Sequence, residues 1–478
     1  MTTHPVFQLI CGYIYGDWQS FSPTSPLPGD GRIPMMAASG SLARPSCFIL
    51  STTLHPFRPV TLRLSQRMPA WGKLAIPFRS LHCEAAAPEK PRSFPTTGFK
   101  TIDQDVKVEE EEIPDYVAER FYPVRLGEVI RDQYQTVAKL GFGSSTTIWL
   151  ARDLKNHRYV SLKFYVHTSR FQRELGLYNE MTKLLAKTAN PGRNNIRHLL
   201  DSFEIDGPCG KHVVLAFEPA QMSLRDMKLV FQKDGGFDEM FVRGAIQELL
   251  KALDLLHSDA HIVHTDIHPG NLLLGLDDDS ALRPLEDRQF TSPVSRKKVT
   301  GDRTIYLSQL MRPKPGPMLL SDFGEARSGP GPHAGDIMPI QYRAPEVIMC
   351  LKWSYAVDIW SVGLTAWDLL GPKNLFTAQD EDGEMYDAAH LAEFVAAIGP
   401  PSLSFLKRSP ERAADFWDEQ GKWLGLAPIP EHRTLERLEK RLENSSRFIS
   451  FLRRVLTWEP EKRPTARELL QDPWLQSG

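Results

Sequence analysis

Three polar side chains stand at spacings that suit phosphoryl transfer. In VHTDIHPGNLLL (263–274), Asp266 follows a histidine by two positions and Asn271 follows Asp266 by five. An Asp at this place can orient an attacking hydroxyl group and accept its proton, and the Asn can bind a metal ion. Asp322, in LLSDFGEA (319–326), could supply a second metal ligand, because a phosphate-bound metal ion needs oxygen ligands.

A lysine upstream of these residues could hold the phosphates. Lys163 lies near the end of the apolar run RYVSLKFYV (158–166), and a strand lysine there can reach phosphate oxygens and pair with a carboxylate on the next helix. Glu174 is the best candidate for that carboxylate, and Glu180 is the alternative. Alone, such a lysine is more often a solvated surface residue.

A glycine-rich stretch precedes the lysine. Gly141-Phe142-Gly143 interrupts alternating apolar residues between 133 and 153, which predicts two strands joined by a tight turn. Glycines there would let the main chain close over phosphates, although a lone Gly-x-Gly is more often just a turn. A turn or cap explains any single Asp equally well, but not the whole series in this order.

The elements that must position these residues change in type along the chain. Strands are predicted within 133–153 and at 158–166 and 211–219, with one helix over 169–187. Further helices are predicted at the amphipathic stretches 237–258, 356–370, 388–398 and 447–457. A strand-rich part followed by a helix-rich part predicts an α+β protein with two lobes.

Composition excludes several classes of protein. The chain has 478 residues, is 41% hydrophobic and 24% charged, and carries a formal net charge of −2. Bulk charge therefore indicates no nucleic-acid or membrane partner, and no apolar run approaches the roughly 20 residues of a membrane helix. The five cysteines lack CxxC spacing, so neither a zinc site nor a disulfide framework is predicted. We expect a monomer.

The first hundred residues differ from the rest. Residues 1–105 are predicted to be disordered or a targeting segment, because prolines and scattered apolar residues cannot build a core. The expected location is the cytoplasm and nucleus. The alternative is the mitochondrion, because the stretch 35–83 has no Asp or Glu, as in a transit peptide. The acidic run KVEEEEIPDY (107–116) marks a boundary inside an N-terminal extension, 106–130.

Taken together, the motifs resemble the signature set of eukaryotic protein kinases. The resemblance covers roughly residues 134–474 and is closest to the SR-protein kinases (SRPK), in their fungal branch. It depends on KLGFGSSTTIWLARD (139–153), on HTDI (264–267) in place of His-Arg-Asp-Leu, and on DI…QYRAPEV (336–347). It implies a bilobal kinase fold with a small β-rich N-lobe, 134–218, and a larger helical C-lobe, 221–474.

The resemblance also implies ATP and Mg²⁺ as cofactors and a protein substrate, with Arg/Ser-rich splicing-type proteins as candidates. Catalytic roles fall on Asp266, Lys163, Glu174 and His268, and metal binding on Asn271 and Asp322. Phe217 is the implied gatekeeper behind the adenine. The implied ATP contacts are Leu140, Gly141, Phe142, Gly143, Ser144, Ser145, Thr146, Ile148, Lys163, Phe217, Glu218 and Ala220.

A long insert, 277–317, precedes the Asp-Phe-Gly motif where SRPK enzymes carry a spacer. Its proline and charge content predict a surface loop. The basic SRKK (295–298) within it is either a docking element or, as we expect more often of such clusters, a solvated group of charges.

The downstream half favours a protein kinase over a small-molecule kinase, which also uses His-x-Asp…Asn. Tyr342-Arg343-Ala344-Pro345-Glu346 resembles the end of a kinase activation loop. Asp358 resembles the residue that anchors the catalytic loop, and Arg463 is the expected ion-pair partner of Glu346. A buried Glu–Arg pair requires both residues, because an unpaired buried charge is costly.

Three departures leave a pseudokinase or scaffold open as the alternative. His268 replaces the lysine that contacts the transferred phosphate, and an imidazole gives less charge stabilisation. Pro339 replaces a threonine that normally bonds to that lysine, which suggests a paired change. Thr146 replaces the third glycine of the loop, and a β-branched residue tolerates positive φ poorly.

Two further expectations concern regulation and substrate. Thr265 replaces the arginine that receives an activation-loop phosphate, so we expect activity without that phosphorylation. The stretch 377–394 corresponds to an acidic docking groove for basic peptides, or equally to a solvated helix start. Its acids are Asp380, Glu381, Asp382, Glu384 and Asp387.

Overall fold

The computed structural model describes residues 87–169, 172–232, 235–299, 303–380 and 382–476. In these ranges a strand-rich lobe is followed by a helical lobe, which confirms the predicted α+β, bilobal kinase fold. The predictions for residues 1–86 lie outside the described residues. Among the helices in these ranges, none combines the length and apolarity needed to span a membrane.

The N-lobe is built on one antiparallel sheet with strand order β1-β2-β3-β4-β6-β5. Strand β5 was not predicted from the sequence. It is a partly exposed edge strand, and its polar residues obscure the alternation of apolar and polar positions that indicates a strand. The strands are β1 (Val129–Ile130), β2 (Tyr134–Gly143), β3 (Thr146–Asp153), β4 (Arg158–Tyr165), β5 (Leu199–Gly207) and β6 (Gly210–Phe217). Helix α1 (Gln172–Leu185) follows β4.

The hairpin between β2 and β3 differs from its prediction in one respect. Both glycines of the Gly-x-Gly stretch lie within β2, and the turn is formed by Ser144 and Ser145. Gly143 pairs with Thr146, the first residue of β3. Thr146 therefore has a strand conformation, which suits a β-branched residue, and the expected conflict with positive φ does not arise.

The C-lobe is organised around one buried helix. Residues 356–370 form it as predicted, and nearly every side chain is buried. A second long helix begins where the Asp238 carboxylate accepts a hydrogen bond from the Phe241 N–H, an N-cap that satisfies a free donor. The C-lobe helices and the insert helix are α2 (Leu224–Phe231), α3 (Glu239–Leu255), α4 (Arg283–Thr291), α5 (Pro345–Ile348), α6 (Ala356–Leu370), α7 (Asp387–Ile398), α8 (Leu403–Leu406), α9 (Pro410–Ala414), α10 (Leu435–Leu438), α11 (Ser446–Val455), α12 (Ala466–Leu469) and α13 (Pro473–Gln476).

Short strands bring distant motifs of the C-lobe together. Strand β8 (Leu272–Leu274) pairs with β11 (Met318–Leu320), and Leu272 lies opposite Leu320. This pairing sets Asn271 close to the Asp-Phe-Gly motif, because each lies just beyond one end of the pair. Strand β7 (Ile262–Val263) pairs in the same way with β12 (Arg327–Ser328).

The insert 277–317 is not the simple surface loop that its composition predicted. It contains helix α4 and a hairpin of β9 (Arg296–Lys298) and β10 (Thr304–Tyr306). Leu282 and Leu285 pack in a core cluster with Val137 of the N-lobe sheet. The insert is therefore part of the N-lobe packing, since apolar residues spread among charges still bury when a neighbouring sheet face is free.

Residues 87–105 also depart from their prediction, because they pack on the insert. The Arg296 N–H donates to the Lys100 carbonyl, and the Ile102 N–H donates to the Arg296 carbonyl. The guanidinium of Arg296 lies 3.8 Å from the Phe99 ring centroid. Arg296 and Lys297, expected to be solvated within SRKK, are 6% and 4% exposed.

Candidate active site

The ammonium group of Lys163 is paired inside the N-lobe. Its Nζ lies 3.2 Å from Oε1 of Glu174, and both side chains are buried. Glu174 therefore occupies the position for which Glu180 was the alternative. The Tyr165 hydroxyl donates to the other oxygen of Glu174. Tyr165 was missed by sequence reasoning, although its spacing of two from Lys163 on one strand places both on the same face.

Asp322 approaches the same lysine from the C-lobe. Its Oδ1 lies 3.4 Å from Lys163 Nζ, and its side chain is 47% exposed. The positive charge of Lys163 lowers the pKa of Asp322, which keeps the carboxylate ionised. Burial opposes the charge of Lys163, but the neighbouring Asp322 raises the lysine pKa. One ammonium group thus joins the two lobes.

The phenylalanine after Asp322 holds the motif in the core. Phe323 is fully buried, and its ring centroid lies 5.2 Å from that of Tyr178 and 4.9 Å from that of His264. Tyr178 belongs to helix α1, and His264 belongs to the catalytic loop. The ring therefore connects helix α1 to the catalytic loop, while the Asp322 carboxylate remains accessible.

Asp266 and Asn271 are held together at the floor of the cleft. The Asn271 amide donates to the Asp266 main-chain carbonyl at 2.8 Å and to its Oδ2 at 2.9 Å. Burial raises the pKa of Asp266, but its polar contacts, first among them the hydrogen bond from His268, outweigh burial and lower it. Both amide hydrogens of Asn271 are used, which leaves its amide oxygen for a metal ion.

His268 caps a turn. Its Nδ1 accepts a hydrogen bond from the Gly270 N–H at 3.0 Å, and its Nε2 lies 3.5 Å from Asp266 Oδ1. An Nδ1 that accepts carries no proton, so these contacts assign the neutral tautomer with hydrogen on Nε2. His268 is the N-cap of the turn Pro269–Asn271 and so positions Asn271.

The paired change suggested for His268 and Pro339 is not visible as a contact. In the described part of the chain, the polar contacts of the His268 side chain are with Asp266 and Gly270, and its ring centroid lies 5.9 Å from that of Tyr342. Pro339 instead begins the separate turn Ile340–Tyr342.

Asp358 anchors the main chain of the catalytic loop. Its carboxylate, fully buried in helix α6, accepts hydrogen bonds from the His264 N–H and the Thr265 N–H, both at 2.8 Å. His257 Nε2 lies 2.9 Å from the same carboxylate. The loop conformation is strained, since Thr265 has φ 68°, and these bonds hold it.

A buried ion pair joins the end of the activation segment to the last helices. Arg463 Nη1 and Nη2 donate to the two oxygens of Glu346, each at 2.7 Å, and neither side chain is exposed. Arg463 also donates to the main-chain carbonyls of Thr457 and Ala356. Such a bidentate, fully bonded pair has its desolvation compensated.

The end of strand β6 forms the back of the cleft between the lobes. Phe217 is 1% exposed, and its ring packs against Tyr178 at 5.0 Å between centroids. The Glu218 N–H donates to the His198 carbonyl, and Ala220 is buried. A buried phenylalanine at this place limits the depth available to a ligand.

These residues fit a nucleotide and a metal ion. A Cβ added at Gly141 would meet no atom within 4 Å, so the space beside the glycine is open to a ligand. Among the described residues, no three His, Cys, Asp or Glu side chains form a metal-binding group. A metal at Asn271 and Asp322 would therefore complete its shell with phosphate oxygens and water, the usual arrangement for Mg²⁺.

This fold, with a paired lysine, an Asp–Asn loop and an Asp-Phe-Gly motif across one cleft, defines a protein kinase. The chain belongs to the protein kinase domain family, which it matches over residues 134–475. The family uses ATP and a divalent metal ion, and its substrates are proteins.

Relatives and a solved structure agree with this family. A serine/threonine protein kinase of Aspergillus fumigatus is 41% identical over 396 residues, covering 81% of this chain and 96% of that protein. The serine/threonine-protein kinase SRPK of Physarum polycephalum is 28% identical, covering 77% and 91%. A crystal structure of a kinase domain, 24% identical, superposes with a TM-score of 0.58 over 75% of this chain and 99% of that one; it supports the fold.

Proposed function

We propose that the protein is an active serine/threonine kinase of SRPK-like type that uses Mg²⁺ and ATP. The single observation that carries this proposal is the contact of Lys163 with both Glu174 and Asp322. Pseudokinases commonly lose one of these groups. Here the N-lobe and C-lobe parts of the phosphate site also meet in one cleft.

The side chains have separate tasks in the proposed reaction. A bound metal ion would neutralise the phosphate charge, and Asn271 and Asp322 would hold it. Lys163 would orient the nucleotide phosphates. Asp266, ionised because its pKa is lowered, would align the substrate hydroxyl and accept its proton.

The catalytic proposal is tested by radiolabel transfer from ATP to an Arg/Ser-rich peptide. Asp266→Asn keeps the shape of the side chain and removes the base, and should lower the rate by about 100-fold or more. Nucleotide binding, measured by fluorescence of a labelled ATP analogue, should persist in this variant. Equal transfer by wild type and variant, or none by either, would favour the alternative of an ATP-binding pseudokinase or scaffold.

We further propose that acidic residues before helix α7 bind the basic substrate. Asp382 and Glu384 are exposed and can attract Arg side chains, and the Gln341 amide contacts Met385 Sδ at 3.9 Å beside the activation segment. The other acids contribute less, because Asp387 pairs with Arg412. Asp380 accepts bonds within its own loop, and Glu381 lies outside the described residues.

Neutralising these acids gives the matching test. Asp382→Asn with Glu384→Gln should raise KM for an Arg/Ser-rich peptide several-fold, leave KM for ATP unchanged and weaken the salt dependence of KM. The control pair Glu411→Gln with Glu419→Gln removes two exposed acids of the same lobe. An equal effect of both pairs on the peptide KM would argue against a specific docking site.

A further inference from the structure

An acidic turn in the N-terminal extension reaches the glycine-rich stretch 140–146, which is predicted to contact ATP and is here called the nucleotide-binding loop. Residues Glu109–Glu112 form one turn of 3-10 helix, here called the acidic turn. The sequence suggested only a boundary at this place, because four consecutive glutamates usually indicate a solvated stretch. The structure instead buries Glu110, which is 5% exposed.

The partner of Glu110 is a lysine of strand β2. Lys139 Nζ contacts the Glu110 carboxylate and lies 3.2 Å from that of Glu109, and the lysine side chain is 1% exposed. A buried ammonium group is stable only when it is paired. The acidic turn therefore compensates a charge that the sheet alone would leave unpaired.

Lys139 stands directly before the loop that closes over phosphates. The pairing of β2 with β3 shifts register between Lys139 and Gly141, so the strand bulges at Leu140; bulges are frequent beside active sites. Lys139 Nζ also lies 5.2 Å from the Phe142 ring centroid. Lys139 therefore adjoins Leu140 along the chain and contacts Phe142 through its side chain, so a bond that fixes Lys139 restrains both ends of Leu140–Phe142.

The insert holds the acidic turn from its other side. The Ser308 N–H and hydroxyl donate to Glu109 at 2.8 and 2.5 Å, and Lys297 Nζ donates to Glu111 at 2.8 Å. The Gln309 N–H donates to the Lys139 carbonyl at 2.9 Å. Lys139 is therefore held by its side chain and by its main chain.

The turn is held in a conformation it would not adopt alone. Glu109 has φ 59°, a left-handed conformation that is unfavourable for a non-glycine residue. The bonds to Ser308 and Lys139 compensate this strain. Strained residues of this kind are concentrated at ligand clamps and switch regions.

We propose that the acidic turn is a clamp that presets the nucleotide-binding loop, with Glu110 and Lys139 as positioning residues. The inference rests on the proposed use of ATP but requires only nucleotide binding. A loop fixed before binding loses less conformational entropy when the phosphates arrive. Removing the clamp should raise the dissociation constant for ATP by about 5- to 20-fold.

The experiment compares two acid–lysine pairs of the same turn. Lys139→Met with Glu110→Gln removes the charges that contact the loop. Lys297→Met with Glu111→Gln removes those that contact the insert hairpin. Thermal unfolding, binding of a fluorescent ATP analogue and hydrogen–deuterium exchange of residues 139–147 without nucleotide are measured for both variants and for wild type.

The proposal expects a split between the two variants. Both should unfold at lower temperature, but only the Lys139 and Glu110 variant should bind ATP more weakly and exchange faster in the loop. Unchanged or equally changed binding and exchange in the two variants would overturn it. If the Lys139 and Glu110 variant does not fold, the single variant Glu110→Gln tests the clamp by the same measurements. If the wild type binds no nucleotide, the proposed function is refuted. Hydrogen–deuterium exchange of residues 139–147 would still test whether the acidic turn holds the loop.

Discussion

The Thr265 hydroxyl donates a hydrogen bond to the Glu325 main-chain carbonyl across 2.9 Å. This partly buried bond fixes the segment after Asp-Phe-Gly to the catalytic loop, where many kinases use an arginine and a phosphate. Thr265→Val keeps the shape and leaves the carbonyl unpaired, so it should lower the free energy of unfolding by about 1–3 kcal/mol and reduce kcat. Thr182→Val is the control, because Thr182 is exposed and its hydroxyl donates to the Tyr178 carbonyl one turn earlier in the same helix.

The same bond predicts that activation-loop phosphorylation is dispensable. No arginine stands at position 265 to receive a phosphate, and the threonine hydroxyl already holds the segment. Phosphatase treatment of the purified protein should therefore leave kcat unchanged within about twofold. A large loss of activity, restored by rephosphorylation, would contradict this prediction.

Removing one partner of the Glu346–Arg463 pair should strongly destabilise the C-lobe. Glu346→Gln leaves the buried guanidinium without its counter-charge, which should cost about 3–5 kcal/mol in chemical denaturation. Arg467, paired with Asp254 at 3.0 Å but 69% exposed, provides the contrast. Arg467→Gln should leave the midpoint nearly unchanged, because solvent screens exposed pairs.

Gly270 has no room for a side chain. An added Cβ would lie 2.7 Å from His268 Cε1, so Gly270→Ala should displace the imidazole that caps the turn and move Asn271. We expect kcat to fall about tenfold or more and the Mg²⁺ concentration for half-maximal activity to rise. Gly176→Ala, at an exposed helix position with free space, should stabilise by roughly 0.5–1 kcal/mol; full activity in Gly270→Ala would refute the capping role.

Stability should depend on the ionisation of Asp368. Burial raises its pKa from 3.8 to about 6, although the hydrogen bond from Tyr342 opposes the rise. Between these values the folded state holds a proton that the unfolded chain has released, so the group's contribution to stability falls as pH rises.

The variant Asp368→Asn removes this ionisation. Relative to wild type, its free energy of unfolding should increase by up to about 3 kcal/mol as pH rises through this window, and stay constant above it. Tyr342→Phe removes the opposing hydrogen bond and should extend the window to higher pH. Denaturation curves at several pH values test both, and a pH-independent difference would exclude Asp368 as the titrating group.

The catalytic motifs could be located from the sequence because each has a fixed local spacing. Asp266 and Asn271 lie on one short loop, and Lys163 and Glu174 are separated by one strand end and one helix start. Helix 356–370 was predicted with its observed bounds, since it carries a continuous apolar pattern. Tyr165 was not predicted, because a tyrosine in a strand usually indicates packing alone.

The contacts of the insert and extension could not be predicted in the same way. Glu110 and Lys297 look like solvated charges when only neighbours in sequence are considered. Their partners, Lys139 and Glu111, are far away along the chain, and charge composition alone does not indicate which pairs are buried. The capping role of His268 was not predicted for a related reason. The imidazole can accept the Gly270 N–H only because glycine has no Cβ in the space that the ring occupies.

The pairing of Glu109 with Ser308 spans 199 positions along the chain. During synthesis the acidic turn leaves the ribosome long before the insert that completes its contacts, so the N-lobe cannot reach its final packing until the chain has been made beyond Ser308, well into the C-lobe. Contacts of such separation slow folding. A protein expressed from residue 134, where the family match begins, would lack Glu110, the partner of the buried Lys139. The unit that folds cooperatively therefore begins upstream of that residue.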